Sequence, residues 1–192
     1  MLEALIQWDQ ELFLWLNGQH SPGWDPIWAT ITHRETWYPL YIVLIGLIFY
    51  QDRQRGWWTV LLLILAVVLA DQITSGLMKP LFARPRPCHE EALAGLVHTV
   101  NGKCGGRFGF ASSHAANSFA VAVFLFRLWW PKWRWLGWAL LVWAALVSYS
   151  RIYMGVHYPA DVLVGGAIGA LAGGQSYRLI ARFPFRKATP EN

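Results

Sequence analysis

The sequence predicts an all-α fold: a polytopic membrane bundle of about five to six transmembrane helices, with an N-terminal amphipathic helix at the membrane interface. Hydrophobic residues make up 55% of the 192 residues and charged residues only 14%, against about 25% charged residues in a soluble domain. The apolar residues also cluster into runs of a length typical of membrane spans. A chain of this length is expected to form one membrane-embedded domain, 1–192.

The first segment has the pattern of an interfacial helix, which we place within 1–20. Apolar side chains alternate there with acidic and amide side chains, as in helices that lie in the plane of a membrane surface. The apolar positions are Leu5, Ile6, Leu12, Phe13 and Leu16. Asn17-Gly18 ends the pattern. No basic region precedes an apolar core here, so a cleaved signal peptide is not expected.

Five apolar segments follow, and each is predicted to cross the membrane. They are 24–51, 57–78, 114–130, 135–149 and 160–180. The first is interrupted by His33-Arg34-Glu35. Its strongest apolar run would reach only about 21 Å at the helical rise per residue, which is less than the thickness of the apolar core of a bilayer. We therefore expect a broken or kinked span. The last segment is rich in Gly and Ala, which allow helices to approach closely in lipid.

Short basic loops predict the orientation of these spans. The 51–56 loop, the 131–134 hairpin and the basic tail at 182–192 fall on one side of the membrane by parity. Short basic loops mark the cytoplasmic side. The polar segment 79–113 is then extracytoplasmic, although its own cations leave the opposite orientation as an alternative. Cys88 and Cys104 lie in this segment, as two free thiols or as a disulfide that requires an oxidising compartment.

Three polar clusters lie at the ends of apolar runs: 79–87, 112–114 and 150–161. Charged groups near a bilayer are costly unless they face one another or a polar cavity. We therefore expect one shared site. Its cations would be Lys79, Arg86 and Arg151, and the helix that starts at Ser112-Ser113 offers backbone N–H groups to an anion. The sequence thus predicts a site for a multiply charged oxyanion such as phosphate.

Two histidines in these clusters have the pattern of a nucleophile and a general acid. His157 precedes a helix that Pro159 can start. Asp161, four residues later, is close enough to orient the imidazole. His114 is available to protonate a leaving oxygen. The cations already balance the developing charge, so no metal or other cofactor is expected.

At these residues the chain resembles the membrane branch of the type-2 phosphatidic-acid phosphatase superfamily. The first motif of the family has the spacing seen here between Lys79 and Arg86-Pro87. The third motif has the spacing seen here from Ser150-Arg151 to His157 and Asp161. The second motif is usually Pro-Ser-Gly-His, where this chain has Ala111-Ser112-Ser113-His114. The 17–25 segment, Asn17…His20…Asp25, is similar to the corresponding segment of bacterial family members that act on polyprenyl diphosphates or lipid A phosphates.

The resemblance implies a role for each motif residue. His157 would form a phosphohistidine with support from Asp161, and His114 would protonate the leaving group. The phosphoryl oxygens would be held by Lys79, Arg86, Ser112, Ser113 and Arg151. Arg84 and Asp71 are possible supporting residues, but Arg84 is equally well explained as an exposed loop charge and Asp71 as a helix–helix hydrogen bond. The other histidines, at positions 20, 33, 89 and 98, are expected to be solvated or interfacial.

The function expected from this resemblance is metal-independent hydrolysis of a lipid phosphate at the outer face of a bacterial cytoplasmic membrane. Undecaprenyl diphosphate is the first expectation, followed by lipid A phosphate, phosphatidylglycerophosphate and phosphatidic acid. Two rivals are a vanadium haloperoxidase, which the apolar spans disfavour, and a lipid-binding or transport protein on an inactive scaffold. Membrane lipids are the expected surroundings; neither nucleic acid nor an obligatory protein partner is expected.

Overall fold

The computed structural model describes residues 1–182, and its regular structure there is helical. The helices are α1 (Leu2–Asn17), α2 (Asp25–Thr32), α3 (Tyr38–Gln51), α4 (Gly56–Asp71), α5 (Lys79–Phe82), α6 (Ser113–Trp129), α7 (Arg134–Tyr153) and α8 (Pro159–Arg182). Within the described residues there is no strand, only an isolated bridge between Pro85 and Phe108. The all-α prediction is confirmed. Beyond residue 182, the predicted basic tail lies outside the described residues.

The second predicted span is the longest continuous helix of the described chain. A π-helical turn, Gln72–Met78, joins α4 to α5, so the helix runs without interruption from Gly56 to Phe82 over 27 residues. This helix and the 20-residue α7 are the two in the described chain that are long and apolar enough to cross a membrane. The expected total of five to six spans therefore stays a prediction.

The polar connection is shorter at both ends than the predicted 79–113. Helix α5 continues to Phe82, and the left-handed Ala83 ends it. Lys79 thus lies on a helix and not in the loop. Pro80 has no backbone N–H, so a regular α-helix would lose a hydrogen bond there. The π-helical turn changes the hydrogen-bond pattern just before this residue. At the other end, Ser113 is already the first residue of α6.

The first apolar segment is broken, as the sequence predicts. Helix α2 ends at Thr32, His33 is extended, and a 3₁₀ turn over Arg34–Trp37 leads into α3. The turn places Arg34 and Trp37 beside the ends of the longer helices. A buried core of apolar side chains then joins α3 to its neighbours α4, α6 and α7, with Leu44, Leu62, Phe124 and Trp143 among its members.

Among the described helices, α6 and α8 pack most closely against each other. Gly165, Gly169 and Gly173 lie one turn apart on α8, and a Cβ on any of them would overlap a backbone carbonyl oxygen of α6. The three carbonyls belong to Ser112, Ala116 and Ala120. The expectation that small residues permit close helix approach is confirmed. This packing fixes the N-terminus of α6 against the N-terminus of α8.

Candidate active site

The three polar clusters converge on one cavity of about 340 Å³. Besides Arg34, which was not predicted, its lining includes both histidines and the three predicted cations. These residues are Lys79, Arg86, His114, Arg151 and His157. The cavity opens between the broken α2–α3 segment, the end of the long helix, the start of α6 and the end of α7. An anion of phosphate size placed here would meet two imidazoles and positive charge from three separate chain segments.

His157 is held by the first turn of α8. Its side chain is 2% exposed, and Nδ1 lies 3.3 Å from Oδ2 of Asp161. The backbone N–H of Tyr158 donates to the same carboxylate oxygen at 3.0 Å. A proton on Nδ1 satisfies the carboxylate and leaves the lone pair on Nε2 free. This is the arrangement that a histidine nucleophile with an orienting carboxylate requires.

Electrostatics keep the His157 imidazole neutral. Burial lowers its pKa well below the usual 6.5, and the nearby cations Arg151, Arg86 and Lys79 lower the pKa further. A neutral imidazole is the nucleophilic form, because protonation would occupy the lone pair on Nε2. The same cations that would attract a phosphate therefore also keep the attacking group reactive.

Lys79 is anchored to the start of α6. Its Nζ donates to Oγ of Ser113 at 2.6 Å and to Oγ of Ser75 at 3.2 Å, and the two hydroxyls are 2.7 Å apart. Ser75 was not among the predicted residues; it lies on the π-helical turn, one helical turn before Lys79. His114 follows Ser113 in the first turn of α6, where backbone N–H groups without helical partners favour an anion.

Arg86 is positioned by the polar connection. Its guanidinium donates to the carbonyls of Phe108 and Cys104, each at 3.3 Å. Cys104 is disulfide-bonded to Cys88, so the alternative of two free thiols does not apply to the structure. The disulfide closes the loop that supplies a carbonyl to Arg86, and thus helps to hold this cation at the cavity.

Arg151 reaches the cavity from the last turn of α7. One guanidinium nitrogen donates to Oγ1 of Thr32, which ties α7 to the end of α2. Its Nε is buried and has no hydrogen-bond partner among the described residues. A buried guanidinium N–H without a partner is costly, and an oxyanion in the cavity would provide an acceptor.

Besides Asp161, which lies behind His157, two predicted residues do not line this cavity. Ser112 is fully buried at the N-cap of α6, and its backbone N–H donates to the carbonyl of Asp161 at 2.9 Å. Arg84 turns away and donates to Oδ1 of Asp161 at 3.1 Å and to Oδ2 of Asp9 at 2.7 Å. Arg84 is therefore not a free loop charge, and its contact is with the carboxylate that supports His157.

Asp71 makes the helix–helix hydrogen bond that was considered for it from the sequence, while its role in supporting the site stays a prediction. Its Oδ1 accepts a hydrogen bond from Nδ2 of Asn117 at 3.2 Å, which joins α4 to α6. Both side chains also line the cavity, and Oδ1 of Asn117 is buried without a partner in the described chain. These polar groups extend the site beyond the cations.

Sequence analysis missed several residues that support the site. A Cβ at Gly109 would lie 3.0 Å from Oδ2 of Asp161, so glycine is needed for this close approach. Asn17 is 1% exposed and donates to the carbonyls of Ile152 and Tyr153 at 3.1 and 2.9 Å. The only sequence signal was the similarity of the 17–25 segment to bacterial family members. Asn17 thus holds the end of α7 that carries Arg151.

The structure corrects the expectation for His98, which has a side-chain partner, whereas His20 is exposed as expected. Nε2 of His98 lies 3.0 Å from Oδ1 of Asp25, which also accepts from the Tyr153 hydroxyl at 2.7 Å. The His20 ring stacks on the His98 ring at 3.8 Å. In the described residues, Cys88, His89 and Cys104 form a group at metal-ligand distances. Both sulfurs belong to the disulfide, so neither is available as a thiolate.

Comparison with known proteins agrees with this geometry. The sequence profile described as "PAP2 superfamily" matches residues 38–184. The chain belongs to the PAP2 superfamily. The resemblance predicted from the three motifs is confirmed, and all three lie inside the matched region. Helix α1 and helix α2 lie before it.

Individual PAP2 relatives and solved structures extend the comparison. A lipid A 4'-phosphatase of Bacteroides thetaiotaomicron is 39% identical over 178 residues, 90% of this chain and 77% of the relative. An undecaprenyl-diphosphatase of Sulfolobus acidocaldarius is 32% identical over 151 residues, 79% of this chain and 66% of the relative. The crystal structure of Aquifex aeolicus LpxE superposes with a TM-score of 0.69 at 29% identity, covering 88% of this chain and 93% of that chain.

Proposed function

We propose that this PAP2 protein hydrolyses a lipid phosphate through a phosphohistidine at His157. The observation that carries the proposal is the single cavity lined by His157, His114 and the three predicted cations. Nε2 of His157 attacks phosphorus, the bond from phosphorus to the leaving oxygen breaks, and His114 gives that oxygen a proton. Water, which loses a proton to His114, then attacks phosphorus and breaks the P–N bond, releasing phosphate and neutral His157.

The cations supply the electrostatic part of the catalysis. Lys79, Arg86 and Arg151 would stabilise the charge on the phosphoryl oxygens, with the first-turn N–H groups of α6 as further donors. Asp161 would stabilise the positive charge that develops on His157 during attack. These groups provide the required charge without a bound metal ion.

For the substrate we propose a lipid A phosphate first and undecaprenyl diphosphate second, which reverses the order expected from the sequence. The relative named for lipid A is 39% identical and the one named for undecaprenyl diphosphate 32%. The cavity adds a physical reason. Asp71, Asn117 and Trp143 line the same space as the cations, and neither Oδ1 of Asn117 nor Nε1 of Trp143 has a hydrogen-bond partner among the described residues. Such acceptors and donors suit the hydroxyl groups of a sugar.

We further propose that the site faces the outside of a bacterial cytoplasmic membrane, in a bundle of five to six spans. The disulfide between Cys88 and Cys104 supports this side, because disulfides persist in oxidising compartments. The basic connections at 52–55 and 130–133 join the helix ends that lie away from the cavity, as expected of cytoplasmic loops.

The test is phosphate release by purified protein in detergent with EDTA. We expect turnover by the wild type, a phosphohistidine trapped by alkaline quench, and loss of both in His157→Ala. His33→Ala removes an exposed imidazole and is the matched control. Full activity of His157→Ala, or loss in EDTA that Mg²⁺ restores, would contradict the mechanism. Lipid A and undecaprenyl diphosphate assayed side by side would rank the two substrates.

A further inference from the structure

Helix α1 contacts the catalytic carboxylate through one arginine. Oδ2 of Asp9 accepts from Arg84 at 2.7 Å, and the other end of the same guanidinium donates to Oδ1 of Asp161 at 3.1 Å. The remaining oxygen of Asp161, Oδ2, lies 3.3 Å from Nδ1 of His157. An unbroken series of hydrogen-bonded polar contacts therefore runs from the N-terminal helix to the proposed nucleophile.

Asp9 also holds the start of the helix that carries Asp161. Its Oδ1 accepts from the backbone N–H of Ala160 at 2.8 Å, in the first turn of α8. A carboxylate at a helix N-terminus satisfies an N–H that has no helical partner and is stabilised by the helix dipole. Asp9 thus holds the backbone of α8 next to Asp161, and it also holds Arg84, the side chain that Asp161 binds.

The series is shielded from solvent. The side chains of Asp161, Asp9 and Arg84 are 0%, 11% and 21% exposed. The Arg84 guanidinium also lies 3.9 Å over the ring of Tyr158, and Phe13 of α1 packs against the same ring at 5.4 Å. Ion pairs protected in this way are screened less by salt than surface pairs.

Arg84 binds two carboxylates at once, and this sharing decides which oxygen of Asp161 is left for His157. With Asp9 in place, Arg84 gives Asp161 one donor and leaves Oδ2 for His157. Without the Asp9 charge, the guanidinium fork can turn to bind both oxygens of Asp161, the preferred geometry of an arginine–carboxylate pair. That geometry would take Oδ2 away from the imidazole.

We propose that Asp9 is a positioning residue for His157, acting through Arg84 and Asp161, so that docking of α1 completes the site. The inference rests on the proposed function, because it needs His157 to be the nucleophile. Asp9 lies outside the matched region of the superfamily, which begins at residue 38, and neither Asp9 nor α1 carries a motif residue.

The decisive experiment compares Asp9→Asn with Glu11→Gln, a matched change at an exposed carboxylate of the same helix. The readouts are kcat, KM and the rate of phosphohistidine formation with 4-nitrophenyl phosphate in detergent. For Asp9→Asn we expect kcat to fall about tenfold or more with little change in KM, since a small misplacement of a reacting group costs up to ~100-fold. Glu11→Gln should match the wild type.

The double variant separates positioning from a general loss of structure. If Asp9 acts through Arg84, Asp9→Asn combined with Arg84→Gln should be no slower than Arg84→Gln alone. Additive losses would overturn the inference, as would an Asp9→Asn protein that forms phosphohistidine at the wild-type rate. Thermal unfolding of each variant checks the fold, and Asp9→Glu, which keeps the charge, should recover part of the rate. A wild type that forms no phosphohistidine would instead refute the proposed function.

Discussion

The backbone N–H of Ser112 donates to the backbone carbonyl of Asp161 at 2.9 Å. This bond joins the N-cap of α6 to the first turn of α8, and each of these helix starts carries or follows one of the two histidines. The spacing between His114 and His157 is therefore set by main-chain contacts, which vary less than contacts between long side chains.

The hydroxyl of Ser113 is predicted to matter for substrate binding. Ser113→Ala removes the 2.6 Å acceptor of Lys79 Nζ and leaves the ammonium less well positioned. Because a hydrogen bond to a charged group contributes about 1.5–3 kcal/mol, we expect KM to rise at least about tenfold. Ser176→Ala is the control, since this serine is also buried but lies on α8 outside the cavity lining. Equal KM values for the two variants would contradict the role of Ser113.

The pH dependence should reflect the buried histidine. Because burial and the adjacent cations lower the pKa of His157 well below 6.5, its neutral form persists as pH falls through that value. We expect the acid limb of kcat/KM to lie below pH 6.5. Arg86→Gln removes one of the cations, so the pKa should rise and the limb should move to higher pH. A limb at or above pH 6.5 in the wild type would refute this prediction.

A single methyl group should disrupt the contact between α6 and α8. Gly169→Ala places a Cβ against the carbonyl of Ala116, where only backbone could move aside. Overpacking of this kind costs about 1–3 kcal/mol, so we expect a lower midpoint of thermal unfolding in detergent. Gly46→Ala, on an open face of α3 with no atom within 4 Å, should leave the midpoint unchanged or raise it. The prediction fails if both variants unfold alike.

The disulfide should support both stability and substrate affinity. Replacing Cys88 and Cys104 by Ser opens a loop with a sequence separation of 16, for which the chain-entropy cost is about 3 kcal/mol. The carbonyl that Arg86 uses would also become mobile, so KM should rise. Reductant should lower the unfolding midpoint of the wild type and not of the double variant. Two free thiols in protein purified from membranes would contradict the pairing.

Much of the site could be predicted because its chemistry depends on residue type and spacing. His157 and Asp161 are four residues apart, so the start of a helix brings them together whatever surrounds it. Lys79, Arg86 and Arg151 were identified by their charge next to apolar segments. These features need no knowledge of tertiary contacts, and the structure brings all five to the region of one cavity.

The residues that escaped prediction depend on contacts between distant segments. Asp9 looks like one of several acidic residues on an amphipathic helix, and only the packing of α1 against α8 reveals its contact with Ala160. The polar segment 79–113 contains several glycines. Of these, Gly109 is the one that approaches the carboxylate of Asp161. The direction of Arg84 likewise follows from the position of Asp9, which no local pattern encodes.

The glycine contact between α6 and α8 also has a consequence for substrate choice. The contact holds the α6 backbone that carries Ser113, His114 and Asn117, which line the cavity, so this side of the cavity cannot readily shift to admit a new head group. The facing wall is made by Thr32, Arg34, Trp37 and Tyr41 of the broken segment. Changes of specificity, whether natural or engineered, should therefore be sought between positions 32 and 41.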